Sequence, residues 1–243
     1  MKRRLALVAA VSLACAGTPQ PTPQQNPAVS VTTSVYTDVQ QGPFHEICEP
    51  MAQVNAAIEV GAFAKAEEIV DGMVARFDAL LAQQPGQPLS VATQAEFDEF
   101  QAAAGPGAKL FPLDWCWKAV MQHKAFLQVH RGDLDGGLAT LDRVVVVAPT
   151  AADSLNERGF ILNQQRRFPE ARKSYERALA VSERYPASKP DQPVALRGLG
   201  YVLIELGELD AAQQAFERSL ELDPGNEIAE NELRYIDHLR GQR

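Results

Sequence analysis

Apolar positions in the second half of this 243-residue chain recur three and four residues apart, and that pattern itself repeats. Segments beginning at Lys118 and Ala152 align without a gap over a 34-residue period, and a third beginning at Pro193 follows after seven extra residues. Within each, a helix-length amphipathic stretch ends in a tight loop and a second such stretch follows. The loops are His130-Arg131-Gly132-Asp133-Leu134, Gln165-Arg166-Arg167-Phe168 and Leu206-Gly207-Glu208-Leu209. Two helices per period predict an all-α solenoid of antiparallel helix pairs, an architecture that normally holds another molecule.

The periodicity divides the chain into further parts. Residues 42–82 read as a degenerate helical pair, with Gly61, Phe63 and Ala66 at the spacing of the later turns. Residues 83–113 break the array: Pro85-Gly86-Gln87-Pro88 and Gly105-Pro106-Gly107 punctuate an irregular insertion with a short helix near Thr93 to Ala103. The segment is either a lid or a long connection. Regular units then occupy 114–151, 152–185 and 193–226, separated by a connection at 186–192. A capping helix covers 227–243, with Ile228, Leu233, Ile236 and Leu239 on its packed side.

The amino-terminal region differs in kind. Met1-Lys2-Arg3-Arg4 is basic and Leu5 to Ala14 is apolar or small, which is too short for a membrane span but fits a signal peptide over 1–14. Ser12-Leu13-Ala14-Cys15 resembles a bacterial lipoprotein box, which implies lipidation of Cys15 and attachment to the periplasmic face of an inner or outer membrane. Ala14-Cys15-Ala16 alternatively suits release as a soluble periplasmic protein. Residues 15–41 are rich in Pro, Gln and Thr and read as an extended tether, with a strand over 29–36 as the alternative.

Composition narrows the function classes. The chain is 46% apolar, 22% charged and 7% aromatic, as a globular protein is. Its formal charge is −8, and loss of the three basic residues within the first 14 takes it to −11. Such a surface repels phosphate backbones, so no nucleic-acid partner is expected. Cys48 and Cys116 would either form a disulfide in an oxidising compartment or stay as two small buried thiols.

The three clear units resemble the tetratricopeptide repeat family. That family places small residues where Ala125 and Gly137, Gly159 and Ala171, and Gly200 and Ala212 stand. Its bulky positions fall on Met121, Leu134 and Leu141, on Leu155, Leu162, Phe168 and Tyr175, and on Leu196, Leu203, Leu209 and Phe216. Ala178, Pro149 and Pro224 also fit, whereas Gln128, Val144, Glu183 and Ser219 depart. The resemblance implies a right-handed superhelix in which a small residue lets paired helices approach and a bulky one fills the groove between them.

In that family the first helix of each pair lines an inner surface that binds peptides. Carried onto this chain, the positions are Gln122, Phe126, Val129 and His130, then Asn156, Phe160, Asn163 and Gln164, then Arg197, Tyr201, Ile204 and Glu205. Phe126, Phe160 and Tyr201 would form an aromatic ladder, or else simply pack against their neighbours. Asn156 and Asn163 could bond an extended backbone, and Arg197 a carboxylate. The repeated Lys, Asn and Arg of the family's carboxylate-clamp members are not reproduced, so recognition of a terminal carboxylate of that kind is not expected.

Other chemistry is thin. Cys116, His123 and His130 lie seven apart, two helical turns between successive members, which is too far for ligands of one metal ion. Gly132-Asp133-Leu134-Asp135 and Gly207-Glu208-Leu209-Asp210 lack the ligand spacing of a calcium loop and read as helix caps. Trp115 and Trp117 read as core anchors rather than as guards of a ligand pocket. No catalytic set, cofactor or metal is expected. The expected function is an exported scaffold or adaptor that binds a protein or extended peptide in the cell envelope. The alternatives are a structural subunit of an envelope assembly using its outer surfaces or the 83–113 insertion, and an accessory subunit of an enzyme.

Overall fold

The computed structural model describes residues 44–241. The signal segment, Cys15 and the tether lie outside the described residues. A 3₁₀ turn at His45–Cys48 precedes the first antiparallel pair, α1 (Met51–Glu59) and α2 (Phe63–Leu81). Three further pairs follow: α4 (Trp115–His130) with α5 (Leu134–Val147), α6 (Ala152–Gln164) with α7 (Phe168–Arg184), and α8 (Gln192–Glu205) with α9 (Leu209–Leu222). Helix α10 (Glu227–Gly241) packs on the last pair. Among the described residues no helix is long and apolar enough to cross a membrane.

Local chemistry sets the helix ends. The Asp114 carboxylate accepts from the Cys116 N–H at 2.9 Å to start α4, and Asp133 accepts from Gly136 N–H at 2.9 Å to start α5. Between paired helices the chain must pass through a left-handed conformation to reverse. Gly132 and Gly207 do so at φ +89° and +80°, and in the middle pair Arg166 takes the same place at φ +60°. A non-glycine residue there carries a steric cost of about 1–2 kcal/mol. The repeat thus survives a turn that no glycine marks.

Packing runs along the array. In the amino-terminal layer, fully buried Trp117 sits among Ile47, Val54, Met73 and Phe77, with the Arg143 guanidinium 5.7 Å above its ring. Trp115 points outward and is 46% exposed, so only one of the two tryptophans anchors the core. Cys48 and Cys116 are joined by a disulfide that ties the 3₁₀ turn to α4 across 68 residues, with Cα atoms 6.1 Å apart. Farther along, the Tyr175 ring of α7 is buried against Gly159 of α6 and Gly198 of α8. Phe216 of α9 lies as closely on Gly200 of α8. Absence of a side chain at these glycines is what allows the helices to meet across the ring.

The 83–113 segment is ordered, and only its helix is legible from sequence. It forms β1 (Gln87–Leu89), α3 (Gln94–Ala104) and β2 (Leu110–Pro112), the two strands pairing in parallel with Gln87 opposite Leu110. Parallel neighbours need a crossover, and α3 supplies it. Thr93 caps α3 by accepting from Glu96 N–H at 3.2 Å, while the Glu96 carboxylate accepts from Ala92 N–H at 3.0 Å. The segment is bolted to the body. Ser90 N–H donates to Val147 O at 2.8 Å, and Arg184 and the Tyr185 hydroxyl both donate to Glu99, at 2.6 and 3.0 Å. It is a bracket over the α5–α6 turn and the end of α7, not a lid.

Candidate functional site

The first helices α4, α6 and α8 carry the residues selected by repeat register, and their side chains meet different fates. On α4, Phe126 is half-buried and its ring contacts run to Phe63 and His130, at centroid distances of 6.4 and 6.2 Å. His130 is exposed yet stacks on Phe63 at 3.7 Å. On α8, Tyr201 meets Phe216 edge-on at 5.6 Å, and its hydroxyl pKa is pushed up to about 12, first by burial and then by Glu232 of α10. Phe160 packs against the core formed around Leu162 and Tyr175. Among the described residues no ring contact joins Phe126, Phe160 and Tyr201 to one another, and each ring packs within its own layer.

Arg197 is likewise committed. Its guanidinium donates to Asp223 Oδ2 at 2.9 Å and to Ser219 Oγ at 3.2 Å, holding the start of α8 to the end of α9. A ligand carboxylate would have to compete with that internal pair. Asn163 is half-buried, while Gln164 and Glu205 are exposed, which leaves this end of α6 and α8 polar and accessible. Val129 and Ile204 are half-buried against neighbouring apolar side chains.

The polar residues nearer the helix starts are brought together. Gln122 of α4 donates to Ser154 Oγ of α6 at 3.0 Å, and Lys118 of α4 donates to Asp153 of α6 at 2.6 Å. Asn156, buried on α6, donates through Nδ2 to the main-chain oxygen of Asp191 at 3.2 Å. Asp191 ends a 3₁₀ segment, Pro186–Asp191, which is the connection between α7 and α8. Glu157 lies one helical turn beyond Asp153 on the same face of α6.

The electrostatics of this group are uneven. Burial works against the Asp153 carboxylate, but the Lys118 ammonium beside it and the hydrogen bonds from Lys118 and Gln122 outweigh burial and hold its pKa below the ordinary value. Glu157 has no such partner. Burial, and after it the charges of Asp153 and Asp191 against the weaker help of Lys118, push it up to about 8. Asp191 is pushed up to about 6, by burial and then by Asp153. Among the described residues the Asn156 Oδ1 atom is buried without a hydrogen-bond partner. Leaving such an acceptor unsatisfied costs on the order of 1–3 kcal/mol.

Sequence register picked out Gln122 and Asn156 but missed Lys118, Asp153, Glu157 and Asp191. The i,i+4 spacing of Asp153 and Glu157 was the available signal. Asp191 could not be placed from sequence, because only the course of the connection carries it back to α6.

Antiparallel helix pairs of one size, turned through a left-handed residue and stacked through small-on-large contacts, define a helical-hairpin solenoid. The tetratricopeptide repeat family model matches residues 150–224, and the fold is an all-α tetratricopeptide-repeat solenoid. The chain is 36% identical over 104 residues to the protein CTR9 homolog of Arabidopsis thaliana, a match covering 42% of this chain and spanning 9% of the length of that curated relative. Among solved structures it is similar to pilF of Pseudomonas aeruginosa, with a TM-score of 0.59 at 13% identity over 83% of this chain and 72% of that one. A tetratricopeptide repeat protein from Parabacteroides merdae gives 0.53 at 16% identity, over 82% of this chain and 60% of that one. These two likenesses are of fold alone.

Proposed function

We propose that the protein is an interaction scaffold that binds an extended protein segment across the first helices α4, α6 and α8. The observation that carries this reading is the linkage of successive first helices by polar side chains. Lys118 to Asp153 and Gln122 to Ser154 make one hydrogen-bonding surface of α4 and α6, and Asn156 to Asp191 extends it toward α8. That linkage fixes one polar face, and beside it half-buried Asn163 and exposed Gln164 supply donors and acceptors that an extended backbone needs. The 83–113 bracket is a weaker candidate for the binding surface, because its acidic residues Glu96 and Glu99 are occupied by Thr150, Arg184 and Tyr185.

The setting we propose is the cell envelope, reached by export through residues 1–14 and held there through lipidated Cys15. The Cys48–Cys116 disulfide supports an oxidising compartment. Mass spectrometry of the mature amino terminus tests this: diacylglycerol on Cys15 is expected, and a terminus beyond Cys15 would overturn anchoring.

The binding reading is tested by proximity labelling with the wild type and with Q122A/N163A/Q164A, alongside an α7 control, E176A. The triple variant should lose a discrete set of labelled proteins that the control keeps. A folded triple variant with an unchanged set would overturn the reading.

A further inference from the structure

We propose that Asp153, Asn156, Glu157 and Asp191 together receive a cationic side chain, Lys or Arg, from the bound segment. The inference rests on the first-helix face being the binding face, and goes further by naming what that face selects.

The Lys118 ammonium is hydrogen-bonded to Asp153, and the Glu157 and Asp191 carboxylates lie within electrostatic reach of that same ammonium. Among the described residues, Glu157 and Asp191 are therefore left without a cation of their own. Carboxylates only accept hydrogen bonds when ionised, so what completes the group is a donor with positive charge. The Asn156 side chain points to the same requirement independently. It is 6% exposed, its nitrogen is spent on Asp191, and its oxygen has no donor. A guanidinium or ammonium can donate to two carboxylates and an amide oxygen at once.

Half-buried Glu157 adds a measurable consequence. The charged groups facing it are Asp153 on its own helix, Lys118 on α4 and Asp191 on the 3₁₀ segment. With its pKa pushed up to about 8, it holds a proton at neutral pH that an arriving cation must displace. Binding therefore releases protons at pH 7 and strengthens as pH rises from 6 to 8.

The test is selection of a displayed random-peptide library against the intact chain, followed by titration of the resynthesised best binder. Selected peptides should share one Lys or Arg, and replacing it by citrulline or Gln should weaken binding about tenfold. Glu157→Gln and Asp191→Asn, each checked for an unchanged far-UV spectrum, should reduce affinity for the charged peptide to that of its neutral counterpart. Glu221→Gln on α9 should change nothing. Peptides that bind the first-helix face without any charge preference would overturn this inference and leave the scaffold reading intact. Failure to select any peptide, or binders indifferent to Q122A/N163A/Q164A, would overturn both.

Discussion

Gly198→Ala should destabilise the solenoid, although in an isolated helix the same change is favourable by about 1 kcal/mol. A Cβ built at residue 198 would lie 2.2 Å from Cε1 and 2.4 Å from Cζ of Tyr175. Ordinary carbon contact is about 3.5–4 Å, so the ring would have to retreat by roughly 1 Å or more. It has nowhere to go, because a Cβ at Gly159 on the neighbouring helix would meet the same ring at 2.8 Å. Tyr175 is held between the glycines of α6 and α8. Overpacking of this kind costs about 1–3 kcal/mol, and a trapped ring belongs at the upper end, leaving a net loss of about 2 kcal/mol after the helix gain. Urea unfolding followed by far-UV circular dichroism measures it. Tyr175→Leu in the same background should recover part of the loss, with a coupling of about 1–2 kcal/mol in the double-mutant cycle. A stabilised Gly198→Ala, or a cycle with no coupling, would refute the account of how these repeats pack.

Two further outcomes follow from the same structure. Glu157 has a folded pKa above its unfolded value, so its contribution to stability is full below pH 4.5 and is lost as pH rises through about 8. The unfolding free energy from urea titrations should therefore fall between pH 5 and 8 with a slope of up to about 1.4 kcal/mol per pH unit from this proton, and Glu157→Gln should remove that part of the slope. Paired Cys48→Ser and Cys116→Ser changes should cost up to about 4 kcal/mol, the loop entropy of a 68-residue separation, with hydrogen exchange quickening first around His45–Cys48 and α1.

The parts of the fold legible in sequence were those fixed by local rules. Gly132 and Gly207 mark left-handed turns, and Gly159, Ala171, Gly200 and Ala212 mark close helix approaches, so the period could be read from spacing alone. Arg166 hid one turn, yet the apolar pattern on either side of it was sufficient. The two strands at 87–89 and 110–112 were invisible because each is three residues long and contains a proline, too short for alternation to register. The candidate face was only half legible. Register named Gln122, Asn156 and Arg197, but their partners Ser154, Asp191 and Asp223 come from other helices and connections, and those partners decide which side chains remain available. Arg197 is paired with Asp223, whereas Glu157 and Asp191, which no register rule selected, are left without a cation among the described residues.

Site-specific photo-cross-linking distinguishes a first-helix binding face from an outer one. A photoreactive residue at Gln122, Asn163 or Gln164 on the first helices should capture one and the same bound segment, and the same residue at Glu176 on α7 or Glu221 on α9 should capture none of it. Capture from the α7 and α9 positions, with silence from α4 and α6, would contradict the account.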